Sequence, residues 1–244
     1  MNRDVLQNQV YLSIFVPCFN EQNNIANTLM AIREAAEGHE LSYEILVVDD
    51  GSTDGTKDVV RAFQDNHLNE PVRLFVLDRN MGIGRNYVDA AFWGKGQYYM
   101  LVNGDNAEPV ETISLLFSKL GEADIVIPYF ADLDSRRWYR RLTSQNFTRL
   151  INFVSGLKIK YYNGPCIHLR YNVMRWSPDT NGYGYQAELI CRIIEEGATY
   201  TQIQINNSDR VSGASSAFSM KNIFSVGHSV TQIMLRRLRK FLFY

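Results

Sequence analysis

The chain of 244 residues is 45% hydrophobic, 12% aromatic and 21% charged, enough apolar material for the core of one ordinary globular domain. That profile excludes a disordered chain, a collagen-like chain and a disulfide scaffold. The formal net charge of −1 conceals a polarity: residues 1–134 sum to −12, residues 135–178 carry nine basic and no acidic side chains, and residues 207–244 sum to +5.

From Val10 short apolar runs alternate with amphipathic stretches, the rhythm of a mostly parallel sheet covered by helices. YLSIFVP is the first predicted strand. Ile25, Leu29, Ile32 and Ala36 then fall at helical spacing, and Gly38 is placed to end that helix. YEILVVDD is continuously apolar until its end, as a strand buried on both faces would be. Thr53 and Asp54 can cap a helix carrying Val59, Val60 and Phe63. VRLFVLD predicts a third strand, residues 83–93 a third helix and QYYMLVN a fourth strand, after which Pro109 suits the first turn of a helix. ADIVIPY is one more strand. A basic, aromatic segment follows, with a helix over Arg140 to Val154 and then short glycine-containing segments. GYGYQAELICRIIEEG predicts a helix closed by Gly197, TYTQIQIN a strand, and the chain from about Ala217 a final amphipathic helix.

Cys18, Cys166 and Cys191 show no CxxC or metal-ligand spacing, which fits a reducing compartment and apolar packing roles. No run reaches about 18 apolar residues, and MNRDVLQNQV lacks an apolar signal region, so the expectation is a cytoplasmic protein. The four histidines form no constellation. Gly82 and Gly84 lack the third glycine of a dinucleotide fingerprint.

Polar residues gather at predicted strand ends, where open α/β sheets bind ligands. The first strand ends in VPCFNE, the second in DDGSTDGT and the fourth in NGDN. Three acidic or amide-bearing turns on neighbouring strands would make a cleft for a base, a ribose and a metal-bound diphosphate. An ionised carboxylate is an acceptor only, which suits the N–H of a pyrimidine or guanine base.

In this order the motifs resemble the family 2 glycosyltransferases of GT-A fold, and within them the dolichol-phosphate mannose synthase and polyprenyl-phosphate sugar transferase branch. VPCFNE is similar to VPxYNE, EILVVDDGSTDGT to the second-strand motif, and NMGIGRNYVDAAFWGKGQYYMLVNGD to the stretch ending in DAD. The likeness is strongest over residues 10–130 and continues to about residue 216. It implies a GT-A catalytic domain over 1–216, with a donor half at 10–130 and an acceptor half at 131–216, followed by a C-terminal amphipathic basic helix at 217–244. It implies that Pro17, Phe19 and Glu21 contact base and ribose, that Asp49 accepts a hydrogen bond from the base, and that Asp50 supports the loop. Asn103, Gly104 and Asp105 stand where the family has its DxD motif. Asp105 with Asn103 would then hold Mg²⁺ or Mn²⁺ and the diphosphate, although Asn103 replaces the first aspartate and Ala107 a nearby glutamine. Catalytic roles fall to Asp105, to Arg210 of the RxxGxSK-like RVSGASS, where Ser216 replaces the lysine, and to Glu188 as a reserve base.

The position that supplies a general base in relatives acting on sugar hydroxyls is Gln186, which cannot take a proton. A phosphate monoester needs no such base, because its second pKa is about 6. The expected reaction is therefore inverting transfer from a UDP- or GDP-linked sugar to a polyprenyl or other lipid phosphate, with Arg136, Arg137 and Arg140 at the acceptor. Arg141 and Arg149 are further candidates in the same acid-free segment. One rival is transfer to a sugar hydroxyl in cell-surface polysaccharide synthesis, and another is a non-catalytic nucleotide-sugar-binding module. LRRLRKFLFY interleaves basic and apolar residues, as would a helix lying on the inner face of a membrane, or one docked on the domain or on a second subunit of a homo-oligomer. Nucleic acid is not an expected partner, since no recognition motif accompanies the basic segments.

Overall fold

The computed structural model describes residues 10–130, 138–175, 182, 184–205 and 220–243, with the side chains of 138–141 and 220–223 outside the description. The elements, in chain order, are β1 (Leu12–Cys18), α1 (Ile25–Glu37), β2 (Tyr43–Asp49), α2 (Thr56–Asn66), β3 (Val72–Val76), α3 (Ile83–Trp93), β4 (Tyr98–Leu101) and α4 (Val110–Phe117). They continue with β5 (Ile125–Phe130), α5 (Trp138–Ser155), β6 (Ile167–Leu169), α6 (Arg170–Met174), α7 (Tyr185–Glu195), β7 (Tyr200–Ile205) and α8 (Met220–Phe243).

The strands form one seven-stranded sheet in the order β3-β2-β1-β4-β6-β5-β7. All pairings are parallel except the two made by β6, which runs antiparallel to both β4 and β5. Side-chain alternation divides β1 between two cores. Leu12, Ile14, Val16 and Cys18 pack with Ile25, Leu29 and Ile32 of α1 and Ile113 and Leu116 of α4. Phe15 faces the opposite layer with Tyr87 and Ala91 of α3, Leu189 of α7 and Ile233 of α8. The result is helix, sheet, helix, as the apolar runs predict.

Three local expectations differ in detail. Helix α2 begins at Thr56 after Gly55, and no side chain caps it in the usual way; Asp54 Oδ1 instead accepts from the Thr56 amide at 3.0 Å. Pro109 is the residue that precedes α4, with φ −65°. The segment of short glycine-containing pieces contains β6 and the five-residue α6. The sheet reverses direction of growth at β1, with β2 on one side and β4 on the other, so their carboxyl ends flank a crevice.

Candidate active site at the carboxyl ends of the strands

The loops after β1 and β2 are laced together before any ligand is considered. The Asn20 amide donates to Ser52 Oγ at 2.9 Å, and Asn20 Oδ1 accepts from the Thr53 amide at 2.9 Å. The Glu21 amide donates to Thr56 Oγ1 at 2.8 Å, while Gln22 Oε1 accepts from the Gly55 amide at 2.9 Å. Asn20 adopts φ 58°, a region that asparagine tolerates better than most residues. These bonds fix a rim on which Phe19 stands 47% exposed beside Pro17. Glu21 accepts from Asn24 Nδ2 at 2.8 Å.

The two aspartates at the end of β2 have unlike jobs. Asp50 accepts from the Met81 amide at 2.7 Å and the Gly82 amide at 3.0 Å, so both its oxygens brace the entry to α3. Asp49 is 1% exposed and accepts the Ser52 amide at 2.9 Å through Oδ1. Its Oδ2 has no hydrogen-bond partner among the described residues. Leaving a buried carboxylate oxygen unpaired is costly, and a ligand N–H would relieve that cost.

On the other side of β1, the turn after β4 brings Asn103, Gly104 and Asp105 against it. The Gly104 amide donates to the Pro17 carbonyl at 3.2 Å. A Cβ at position 104 would lie 2.7 Å from both Cys18 Sγ and the Pro17 carbonyl oxygen, so the close approach needs glycine. Asp105 is buried. Asn103 donates its Nδ2 to Glu108 Oε1 at 2.7 Å and its amide to Glu108 Oε2 at 3.0 Å. Loss of hydration, reinforced by the Asp105 carboxylate, pushes the Glu108 carboxyl up to about 7 against those two donors.

The crevice is electronegative, and Cys18 reports it. Burial first, and then the carboxylates of Asp49, Glu21, Asp105 and Asp54, push its thiol well above its ordinary range. All three cysteines are free and buried, as packing roles require. A nucleoside diphosphate entering this field needs a countercharge. Among the described residues no group of three or more His, Cys, Asp or Glu side chains converges as a metal site. The donor set is nevertheless compatible with a hard cation that takes one or two protein oxygens and completes its shell with phosphate and water. Asp105 would offer such an ion a carboxylate and Asn103 a neutral carbonyl oxygen.

The expected acceptor residues fall into three groups. Arg136, Arg137 and Arg210 lie outside the described residues, and so does Ser216. Arg140 sits in the first turn of α5, with its side chain outside the description, and Arg149 is exposed further along that helix. Gln186 is buried at the start of α7, where its Nε2 donates to the Gly164 carbonyl and ties the helix to the loop before β6. Glu188, two residues on, is also buried and accepts from Arg236 of α8 at 3.0 Å.

That ion pair shows how α8 is seated. Ile233 and Ser229 on α8 are fully buried, and a Cβ on Gly184 would meet Ser229 Oγ at 2.5 Å. Arg237 Nη1 donates to the Val154 carbonyl at the end of α5 at 3.0 Å. The outward side of α8 keeps Leu235, Leu238, Phe241 and Leu242 exposed among Arg239 and Lys240, and Phe153 of α5 adds a ring that is 83% exposed. No helix among the described residues is long and apolar enough to cross a membrane.

Glu108 and Thr28 were invisible to sequence reasoning. Thr28 Oγ1 accepts from the Asn106 amide at 3.0 Å, locking the turn after β4 to α1. The only sequence signal for Glu108 is a carboxylate just downstream of an amide that occupies a carboxylate position.

Comparison with known proteins agrees with this geometry. An uncharacterised glycosyltransferase of Synechocystis is 27% identical over 62% of this chain and 47% of its own length. A dolichyl-phosphate beta-glucosyltransferase of Dictyostelium discoideum is 32% identical over 43% of this chain and 34% of its own length. The chain thus spans between a third and a half of these relatives. Glucosyl-3-phosphoglycerate synthase of Mycobacterium tuberculosis, solved with Mn²⁺, UDP-glucose and phosphoglyceric acid, superposes with a TM-score of 0.67 at 15% identity, over 96% of this chain and 81% of that one. The model of glycosyl transferase family 2 matches residues 13–178, and the chain belongs to that family.

Proposed function

We propose that the protein transfers a sugar, with glucose and a UDP leaving group as the favoured case, from a nucleoside diphosphate sugar to a polyprenyl-type lipid phosphate, with inversion at the anomeric carbon. The observation that carries the choice of acceptor is the state of α7. Gln186 has no basic atom and spends its amide on Gly164, and Glu188 is buried in an ion pair with Arg236. An acceptor hydroxyl would therefore meet at Gln186 a group that cannot take its proton and at Glu188 a carboxylate already neutralised by a guanidinium, whereas a phosphate oxygen arrives already ionised. The dolichyl-phosphate beta-glucosyltransferase likeness supports the same acceptor class, and the UDP-glucose bound to the mycobacterial structure supports the donor.

In this reading Asp49 Oδ2 accepts the base N–H, and the Asn20–Ser52 and Glu21–Thr56 bonds hold the rim around the ribose. Asp105 and Asn103 would hold a divalent ion, which when bound supplies positive charge to the departing diphosphate. The acceptor oxygen attacks the anomeric carbon as the bond from that carbon to the diphosphate oxygen breaks. Asp50 keeps the β3–α3 loop in place. Arg210 and the basic segment at Arg136, Arg137 and Arg140 are proposed to bind phosphate, and the apolar and basic outer face of α8 to rest on an anionic bilayer.

The test uses the purified chain with radiolabelled UDP-glucose and GDP-mannose, Mn²⁺ or Mg²⁺, and vesicles containing polyprenyl phosphate. Label in an acid-labile lipid, lost in Asp105→Ala, is the expected result. Label in an acid-stable glycoside would transfer the reading to a sugar-hydroxyl acceptor. Donor binding with neither transfer nor hydrolysis would leave a binding module.

A further inference from the structure

The turn after β4 presents an amide, Asn103, beside the carboxylate of Asp105. A planar carboxamide has an oxygen that attracts a cation and an NH₂ that repels one, so its usefulness depends on which way round it is held. One hydrogen bond settles that choice and a second, from the backbone, holds its acceptor in place. Asn103 Nδ2 donates to Glu108 Oε1 at 2.7 Å, and the Asn103 amide donates to Glu108 Oε2 at 3.0 Å. Oε1 accepts from Nδ2, so Glu108 holds the nitrogen side of the carboxamide. Oδ1, on the other arm of the same plane, is left for a ligand.

Glu108 is itself well anchored. It directly precedes Pro109, whose φ of −65° sets the entry to α4, and it lines a shallow depression with Ala107, Thr112, Phe130, Pro165 and Ile205. That depression lies where the ends of β4, β5 and β7 meet the loop before β6. Thr28 Oγ1 accepts from the Asn106 amide and donates to the Asn103 carbonyl at 3.4 Å, which fixes the backbone that carries the clasp.

We propose that Glu108 is the positioning residue of the diphosphate and metal site. It turns the Asn103 carboxamide so that its oxygen faces the incoming cation. The assignment rests on the nucleotide-sugar reading given above.

The experiment measures Mn²⁺ affinity of the full chain by electron paramagnetic resonance of the free ion, with UDP present, for wild type, Glu108→Gln and the double variant N103D/E108Q. A glutamine at 108 has one acceptor oxygen for two Asn103 donors, so the Asn103 amide turns over and Mn²⁺ affinity falls by about tenfold or more. In the double variant the amide at 108 donates to a carboxylate at 103, with the bond polarity reversed and the charge restored, and affinity returns to within about threefold of wild type. Thermal unfolding verifies that each variant is folded. A merely structural Glu108 would leave Mn²⁺ affinity unchanged in a folded Glu108→Gln protein. Wild-type affinity in Glu108→Gln, or a double variant no better than the single one, overturns the assignment while leaving the donor reading intact. Failure of wild type itself to bind Mn²⁺ with UDP overturns both.

Discussion

Replacing Arg236 by methionine isolates the contact between the C-terminal helix and the rest of the domain. The Glu188 side chain is 2% exposed and that of Arg236 25%, at 3.0 Å, and Glu188 Oε2 already has no partner among the described residues. Removing the guanidinium leaves a buried carboxylate uncompensated, which costs about 3–5 kcal/mol. In a chain of this size each kcal/mol shifts the melting temperature by about 2–4 °C, so Arg236→Met should lower it by at least about 6 °C. Methionine retains much of the arginine stem's packing, so the loss reports the charge. Removing both charges in Glu188→Gln with Arg236→Met should recover most of the stability, with a coupling of about 2–3 kcal/mol. Urea unfolding of the four proteins of this cycle at neutral pH gives the coupling directly. The same four, assayed for sugar transfer, test whether Glu188 is a brace or a base: loss of a general base would lower turnover about 10²-fold or more in both Glu188→Gln proteins, and a brace would leave the double variant near wild type. A single variant within about 1 kcal/mol of wild type, or additive losses in the double, would refute the ion-pair argument.

Gly104→Ala should destabilise the fold by about 1–3 kcal/mol and weaken nucleotide binding, because the new methyl would sit 2.7 Å from Cys18 Sγ and the Pro17 carbonyl; urea titration and a UDP thermal shift read the two effects. His168 is fully buried with neither ring nitrogen partnered among the described residues, and burial drives its pKa down to about 3. The unfolded chain takes up this proton near pH 6.5 and the folded one does not, so stability is complete above that pH and falls by about 2 kcal/mol from pH 7 to pH 5. His168→Phe should flatten that slope in unfolding measured across pH. Leu238→Glu with Phe241→Glu, both on the exposed side of α8, should abolish sedimentation with anionic vesicles and leave the melting temperature unchanged; a variant that still sediments would refute membrane contact through that face.

The N-terminal half was legible in the sequence because its signals are local. Continuous apolar runs mark β1 and β2, and Asp49, Asp50, Asn103 and Asp105 lie at their ends or those of β4, so naming the turns was nearly naming the crevice. The roles inside it were less legible, since Asp49 and Asp50 are neighbours in sequence and differ only in what reaches their oxygens. Strand β6 escaped because three residues carry no periodicity and its pairing partners lie over 40 residues away in β5 and further in β4. Glu108 escaped for a similar reason, its part being defined by an amide five positions earlier that only a folded turn brings round. The basic C-terminal run read equally well as a membrane face or a docked helix; in α8, Ser229, Ile233 and Arg236 turn inward against the domain while Leu238 and Phe241 turn outward.

The late arrival of β6 bears on how the protein is made. β1, α1, β2, α2 and β3 pair as successive neighbours, so this region can assemble as soon as it emerges from the ribosome. Strands β4 and β5 follow one another in the chain but are not neighbours in the sheet, and the slot between them closes only when Ile167–Leu169 has been synthesised. Until then two apolar strand edges stay open, a template for wrong pairing between nascent chains. Synthesis that stalls between residues 130 and 167 should therefore yield aggregation-prone fragments, and a chaperone would be needed most over that interval.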